Sequence, residues 1–241
     1  MRALKPYLKL AVLIGVLPLG GALAETLPLP TNLIGLNSDQ GEHLLLDSEA
    51  RQSYWPLSLQ FLTQENQAFC GVATIVMVLN ALGVPAPTTP EYTPYTTFTQ
   101  DNVLDERTEK VLPRAVLAKQ GMTLDQIGQL LEVHAVHAVV HHAADGSREE
   151  FRHLASQYVG EPGHFIIVNY LRRAIGQQTG GHISPLAAYD ADTDRFLILD
   201  VARYKYPPVW VKADELFAAM STLDADNGNR SRGYVLIDAG H

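Results

Sequence analysis

The apolar pattern in the first half of the chain is mainly helical. Apolar side chains recur at helical spacing over residues 71–81, and Gly83 supplies a stop signal. A capping box that begins at Thr123 and another that begins at Ser147 each predict the start of a further helix. Residues 102–120 also have a largely helical pattern. The sequence therefore predicts that helices dominate the first half.

The pattern changes to β in the second half. Apolar runs predict strands, and an aspartate-rich turn at 190–194 joins two of them as a hairpin. The predicted strands are 133–142, 164–171, 182–189, 195–201 and 233–238. Helices followed by antiparallel strands are typical of an α+β fold. Because the sequence has no internal repeat and no linker, we expect one domain.

Composition limits the classes of partner. The 241 residues carry a formal net charge of −8, which argues against a nucleic-acid partner, since such a partner would require a basic face. Cys70 is the only cysteine, so no disulfide can form within the chain. We expect a globular protein held together by the packing of one core.

The first 24 residues have the features of a signal peptide. Arg2, Lys5 and Lys9 form a basic start, an apolar run follows at 10–19, and Ala22-Leu23-Ala24 is a small-residue cleavage signal. The apolar run is short for a membrane span, although an uncleaved N-terminal anchor is the alternative. We expect export to the periplasm, a catalytic domain at 25–241, and no stable membrane insertion after cleavage.

Cys70 is the first candidate for catalysis because it lies where the predicted helix begins. Unpaired N–H groups and the positive end of the helix dipole favour the thiolate, which is the nucleophilic form. The alternative is that a lone cysteine is simply a small buried apolar residue.

His182 and Asp200 are the candidates for a base and for the group that orients it. His182 follows Gly180-Gly181 and begins a predicted strand, while Asp200 closes the strand expected to pair with it. A carboxylate there would accept a hydrogen bond from the imidazole and set its tautomer. Taken singly, each also fits an ordinary loop histidine or a strand-end aspartate. The chain order Cys, His, Asp is that of papain-like cysteine enzymes.

Gln64 is the candidate oxyanion donor. It precedes Cys70 by six positions, and a side-chain amide beside the nucleophile stabilises a tetrahedral intermediate together with the Cys70 N–H. An exposed loop glutamine is the alternative.

Four histidines in or beside the predicted 133–142 strand raise the question of a metal site. They are His134, His137, His141 and His142. No cysteine or clear carboxylate ligand accompanies them, so we interpret them as a solvated strand face and predict neither a metal site nor a required cofactor.

Several longer motifs resemble the phytochelatin synthase family. They are residues 64–71, 78–82, 168–170, 176–177, 180–185 and 200–208. The resemblance covers nearly all of the chain after residue 24. It implies a papain-like fold and a reaction in which glutathione loses glycine and leaves its γ-Glu-Cys unit on a catalytic cysteine.

The resemblance also implies roles for individual residues. Cys70 would be the nucleophile, His182 the base, Asp200 the orienting residue and Gln64 the oxyanion donor. Asp224 and Arg232 would contact the amino and carboxylate groups of the γ-glutamyl end. Thiolates of cadmium or zinc are possible substrate complexes.

Plant members of the family add a Cys-rich C-terminal half, whereas this chain ends at His241 with a single cysteine. We therefore expect the acyl group to pass mainly to water and less to a second glutathione. The alternatives are a cysteine peptidase for another short peptide and a non-catalytic thiol-peptide or metal-binding protein. A symmetric homodimer is the assembly to expect if the chain associates.

Overall fold

The computed structural model describes residues 26–238, so the predicted signal peptide lies outside the described residues. The helices are α1 (Asp39–Asp47), α2 (Tyr54–Leu59), α3 (Cys70–Ala81), α4 (Arg114–Gln120), α5 (Leu124–Val133), α6 (Arg148–Gly160) and α7 (Ala213–Met220). The strands are β1 (Ile34–Gly35), β2 (His137–His142), β3 (His164–Leu171), β4 (Gly181–Asp190), β5 (Arg195–Ile198), β6 (Val209–Lys212), β7 (Leu223–Asp224), β8 (Arg230–Ser231) and β9 (Gly233–Asp238).

Seven strands form one antiparallel sheet in the order β1-β6-β5-β4-β3-β9-β2, and β7 and β8 form a separate ribbon. Most of the sheet comes from the second half of the chain, and most of the helices come from the first. The predicted α+β class is confirmed.

Both faces of the sheet are covered. Ile167 on β3 belongs to the core cluster that contains α3 and α5. Its neighbours Ile166 and Val168 belong to a second cluster with α6 and α7. Successive residues of a strand point to opposite faces, so the continuous apolar runs in the sequence reflect a sheet buried between two helical layers.

The helix predicted over 102–120 is wrong in its first half. Thr108–Lys110 is a single 3₁₀ turn, and α4 begins only after Pro113. The Asp105 carboxylate accepts hydrogen bonds from the N–H groups of Arg107 and Thr108, which closes a local turn. Pro113 has no N–H and is tolerated only at a helix start.

Other boundaries also differ from the sequence prediction. Since α5 continues to Val133, β2 begins at His137 rather than at residue 133. The strand predicted to reach residue 201 ends at Ile198, and β6 and α2 were not predicted. Among residues 26–238, no helix is long and apolar enough to cross a membrane.

Candidate active site

Cys70 is the first residue of a helix buried on all sides. Every residue of α3 from Cys70 to Leu79 is buried. The Thr74 hydroxyl, one turn on, lies 2.8 Å from the Cys70 carbonyl and 3.3 Å from that of Ile183. Because Ile183 follows His182 on β4, this hydroxyl links the helix of Cys70 to the strand of His182.

His182 has one ring nitrogen engaged by the protein. Its Nε2 lies 2.9 Å from Asp200 Oδ1 and 3.0 Å from the Ser184 hydroxyl. The edge of Tyr170 packs against the ring at a centroid distance of 5.7 Å. Nδ1 is therefore the nitrogen left for proton exchange with Cys70, which lines the same cleft as His182.

Asp200 is fully buried, and both of its carboxylate oxygens accept hydrogen bonds. It accepts two hydrogen bonds of 2.8 Å from Arg172 and one of 2.9 Å from the N–H of Ala202, besides its contact with His182. Burial opposes ionisation, but His182 and Arg172 hold the pKa of this carboxyl well below its usual range. Asp200 is therefore an anion, positioned two residues beyond β5 rather than at a strand end.

Burial opposes the ionised forms of both Cys70 and His182. Burial raises the pKa of the Cys70 thiol, although the N–H groups of Ile183 and Gly71 oppose this effect. Burial also lowers the pKa of His182, against the opposing effect of Asp200. Burial thus favours a thiol beside a neutral imidazole, the arrangement required for general-base activation.

The cleft has a volume of about 460 Å³ and also contains charges of both signs. Asp224 and Arg232 line it and form an ion pair of 3.2 Å. Arg232 packs over Gly181, where an added Cβ would lie only 3.2 Å from Nη2. Asp226 lines the cleft too, whereas Arg230 pairs with Asp125.

Gln64 lies in a different position from the other candidates. It is buried, and it lines a side cavity of about 220 Å³ that also contacts His182. Its Nε2 donates to the Asn66 carbonyl at 2.6 Å, and its Oε1 is buried without a hydrogen-bond partner. Since an amide nitrogen carries two hydrogens, one remains for an oxyanion. The oxyanion role stays a prediction.

The histidines in and beside β2 each contact protein groups. His134 bonds to the Val103 carbonyl, His137 pairs with Asp238, and the His141 ring stacks on Tyr234. His134 and His142 are both buried, the latter between two acceptors, so the interpretation of these two as part of a solvated face is wrong. Within residues 26–238, no group of three or more potential ligands is arranged to hold a metal ion.

The structure thus brings four predicted residues to one cleft, namely Cys70, His182, Asp224 and Arg232, while Asp200 bonds to His182 and Gln64 lies in the adjoining cavity. The sequence analysis missed the roles of Arg172, Ser184, Thr74 and Asn169, the last of which also lines the cleft. Arg172 left one signal in the sequence, a charged residue directly after the apolar run of β3. Thr74 and Ser184 left none, because a hydroxyl within an apolar segment is ordinary.

The phytochelatin synthase family model matches residues 24–234. Glutathione gamma-glutamylcysteinyltransferase 3 of Lotus japonicus is 32% identical over 222 residues, which are 90% of this chain and 44% of the relative. Glutathione gamma-glutamylcysteinyltransferase 1 of Arabidopsis thaliana is 31% identical over 221 residues, 90% of this chain and 44% of that protein.

The similarity extends to a fungal protein. The glutathione gamma-glutamylcysteinyltransferase of Schizosaccharomyces pombe is 28% identical over 221 residues, 88% of this chain and 50% of the relative. The chain therefore spans half or less of the length of these relatives. Since the family model covers almost all of the described residues, the chain belongs to the phytochelatin synthase family.

Proposed function

We propose that this chain cleaves the Cys–Gly peptide bond of glutathione through an acyl-enzyme on Cys70. The observation that carries the proposal is the shared cleft, which joins a buried Cys70 and a His182–Asp200 pair to the ion pair of Asp224 and Arg232. The names of the relatives support glutathione as the substrate.

The chemistry begins with a proton transfer. His182 Nδ1 accepts the thiol proton as Cys70 Sγ attacks the cysteinyl carbonyl of glutathione. The oxyanion that forms is held by the Cys70 N–H and by the amide of Gln64. His182 then gives its proton to the glycine nitrogen, the peptide bond breaks, and the γ-Glu-Cys unit remains as a thioester.

Asp224 and Arg232 orient the substrate. The γ-glutamyl end is a zwitterion, and a carboxylate beside a guanidinium offers one charge of each sign to it. A γ-linked peptide places its α-amino and α-carboxylate groups together at one end, which an ordinary peptide does not. This pair therefore favours glutathione over general peptidase substrates.

The thioester has two possible acceptors. Water would give free γ-Glu-Cys, and the α-amino group of a second glutathione would give (γ-Glu-Cys)₂-Gly. We propose hydrolysis as the main outcome, with cadmium or zinc thiolates of glutathione as permitted rather than obligatory substrates. We also propose that residues 1–24 direct export to the periplasm and that residues 25–241 form the catalytic domain.

The test uses reduced protein that starts at Glu25, incubated with glutathione with and without cadmium, and mass analysis of the products. Cys70→Ala is run in parallel, and Asp192→Asn, in an exposed turn, is the matched control. S-methylglutathione, which cannot form a metal thiolate, tests whether the metal is needed.

Cys70-dependent release of glycine and γ-Glu-Cys is the expected result. A predominance of (γ-Glu-Cys)₂-Gly would establish the same acyl-enzyme but overturn hydrolysis as the main outcome. Full glycine release by Cys70→Ala, or none by the unaltered protein, would overturn the proposal. Cleavage of unrelated peptides would then favour the peptidase alternative, and tight glutathione or cadmium binding without turnover the binding protein.

A further inference from the structure

His142, which lies outside the cleft, is buried between two hydrogen-bond acceptors. Its Nδ1 lies 2.5 Å from the Ser231 carbonyl oxygen, and its Nε2 lies 2.9 Å from Asp125 Oδ1. A carbonyl and a carboxylate both accept, so the ring can donate to both only when both of its nitrogens are protonated. His142 therefore links α5 to β8.

The first contact of His142, with Ser231, leads directly to Arg232. Ser231 immediately precedes Arg232, and its hydroxyl accepts a hydrogen bond of 2.9 Å from the N–H of Ala144. The Arg232 carbonyl accepts another of 2.9 Å from the N–H of Ala143. The backbone that carries Arg232 is therefore fastened to residues 142–144 through three hydrogen bonds.

The second contact of His142, with Asp125, leads to another part of the cleft wall. Asp125 lies in the first turn of α5, three residues after Met122, which lines the cleft beside Cys70. Asp125 also pairs with Arg230 at 3.1 Å, and Arg230 lies 3.8 Å from Asp145. His142 thus connects the parts of the cleft wall that contain Met122 and Arg232, although it does not line the cleft itself.

We propose that His142 is a positioning residue for recognition of the γ-glutamyl carboxylate. It acts through Ser231 and Arg232, and this role rests on the proposed function. Substitution of His142 shifts the guanidinium of Arg232 relative to Cys70 and weakens glutathione binding, while the Cys70–His182–Asp200 group remains intact.

The principal variant is His142→Gln, whose amide can donate to one acceptor but must present its oxygen to the other. We expect the KM for glutathione to rise about tenfold, equivalent to about one buried hydrogen bond, with kcat little changed. His141→Gln is the matched control, because the His141 ring stacks on Tyr234 and does not bond to Ser231 or Asp125. It should leave KM and kcat unchanged.

Two further measurements separate positioning from general damage. The analogue 4-aminobutanoyl-Cys-Gly lacks the α-carboxylate. The rise in KM caused by His142→Gln should therefore largely disappear with this peptide. Alkylation of Cys70 by iodoacetamide does not use the γ-glutamyl site, so its rate should equal that of the unaltered protein.

Asp125→Leu provides a second route if His142→Gln does not fold. It keeps a side chain of similar size and the His142 ring but removes the acceptor of Nε2, and it should raise the same KM. If both variants fold, the rise in KM of the double variant should be less than the combined effect of the two single variants, because both break the same linkage.

An unchanged KM in His142→Gln would overturn the proposal. An equal rise in KM for glutathione and for 4-aminobutanoyl-Cys-Gly would also overturn it. So would slower alkylation of Cys70, since either result would indicate loosening of the whole site. Failure of the proposed function has a different signature, namely no Cys70-dependent glycine release by the unaltered protein, and it would remove the role of His142 as well.

Discussion

The guanidinium of Arg172 meets the carboxylate of Asp200 through two parallel hydrogen bonds of 2.8 Å, with both side chains buried. Asp200 also accepts from His182 and from the backbone, so neither of its oxygens is free to turn. Arg172 therefore determines the orientation of the carboxylate that, in turn, orients the imidazole.

Arg172→Lys should lower kcat for glycine release by about 10- to 100-fold, because a single ammonium cannot reproduce the two-point contact. KM should change little, since Arg172 does not contribute to the ion pair of Asp224 and Arg232. Steady-state kinetics measure this split, with the exposed neighbour Arg173→Lys as the control. Equal kcat in both variants would refute this role of Arg172.

Arg172→Met should destabilise the fold by about 3–5 kcal/mol, because it leaves a buried carboxylate without its main partner. Urea unfolding followed by circular dichroism measures the loss. A free energy of unfolding close to that of Arg173→Met would contradict the structural reason.

Asp200→Asn should leave a folded but weak enzyme, with kcat lower by about 10²- to 10⁴-fold. The imidazolium loses its counter-charge, and the amide can present its donor to Nε2 and favour the wrong tautomer. Product analysis by mass gives the rate, with Asp192→Asn as the control. Near-normal kcat would show that Asp200 has only a structural role.

The pH dependence follows from the two shifted groups at the nucleophile. His182 must be neutral to accept a proton, and burial lowers its pKa, so glycine release should rise with pH through a value below about 6.5, the ordinary histidine value. Burial raises the pKa of Cys70, so alkylation by iodoacetamide should be slow at neutral pH and should increase mainly above about pH 8.5, the ordinary cysteine value.

Free cysteine is the reference for these alkylation rates. Rapid alkylation of Cys70 that is already constant between about pH 5 and pH 7 would instead indicate a preformed thiolate–imidazolium pair, as in enzymes whose cysteine pKa is strongly lowered.

Gly181→Ala should raise KM while kcat changes little, because the new Cβ would lie 3.2 Å from Arg232 Nη2 and 3.3 Å from its Nε. Gly160→Ala is a matched control, since its Cβ would also meet a neighbour at 3.2 Å, but that neighbour is Ala50, which does not line the cleft. A rise of KM in both variants would point to a general loss of packing.

The sequence predicted what depends on local patterns. Both capping boxes form, at Thr123 and Ser147, because the serine or threonine and the residue three positions later satisfy each other's N–H groups. The boundaries of β3 and β9 were also correct. The 102–120 segment failed because a single carboxylate, Asp105, and one proline interrupt an otherwise helical composition.

The site was predictable only in part, for the same reason. Cys70 is the only cysteine, and His182 and Asp200 stand after a Gly-Gly pair and an apolar strand, so the sequence alone singled them out as candidates. The supports of these residues, such as Arg172 and Thr74, act through partners that are distant in sequence: Arg172 is 28 positions from Asp200, and Thr74 is 109 from Ile183. The pKa of Cys70 likewise depends on burial, which only the assembled core determines.

Cys70 lies on a helix and His182 on the sheet, and the Thr74 hydroxyl bonds to the backbone of both elements. The proposed reaction therefore depends on the packing between α3 and β4. A shift of a fraction of an ångström there alters the distance between the Cys70 sulfur and the His182 imidazole before any helix or strand is lost. A heated or mutated sample should consequently lose glycine release while its circular dichroism spectrum still resembles that of the native protein. We therefore expect the proposed glycine release to report on the packing between α3 and the sheet more sensitively than any measure of secondary structure.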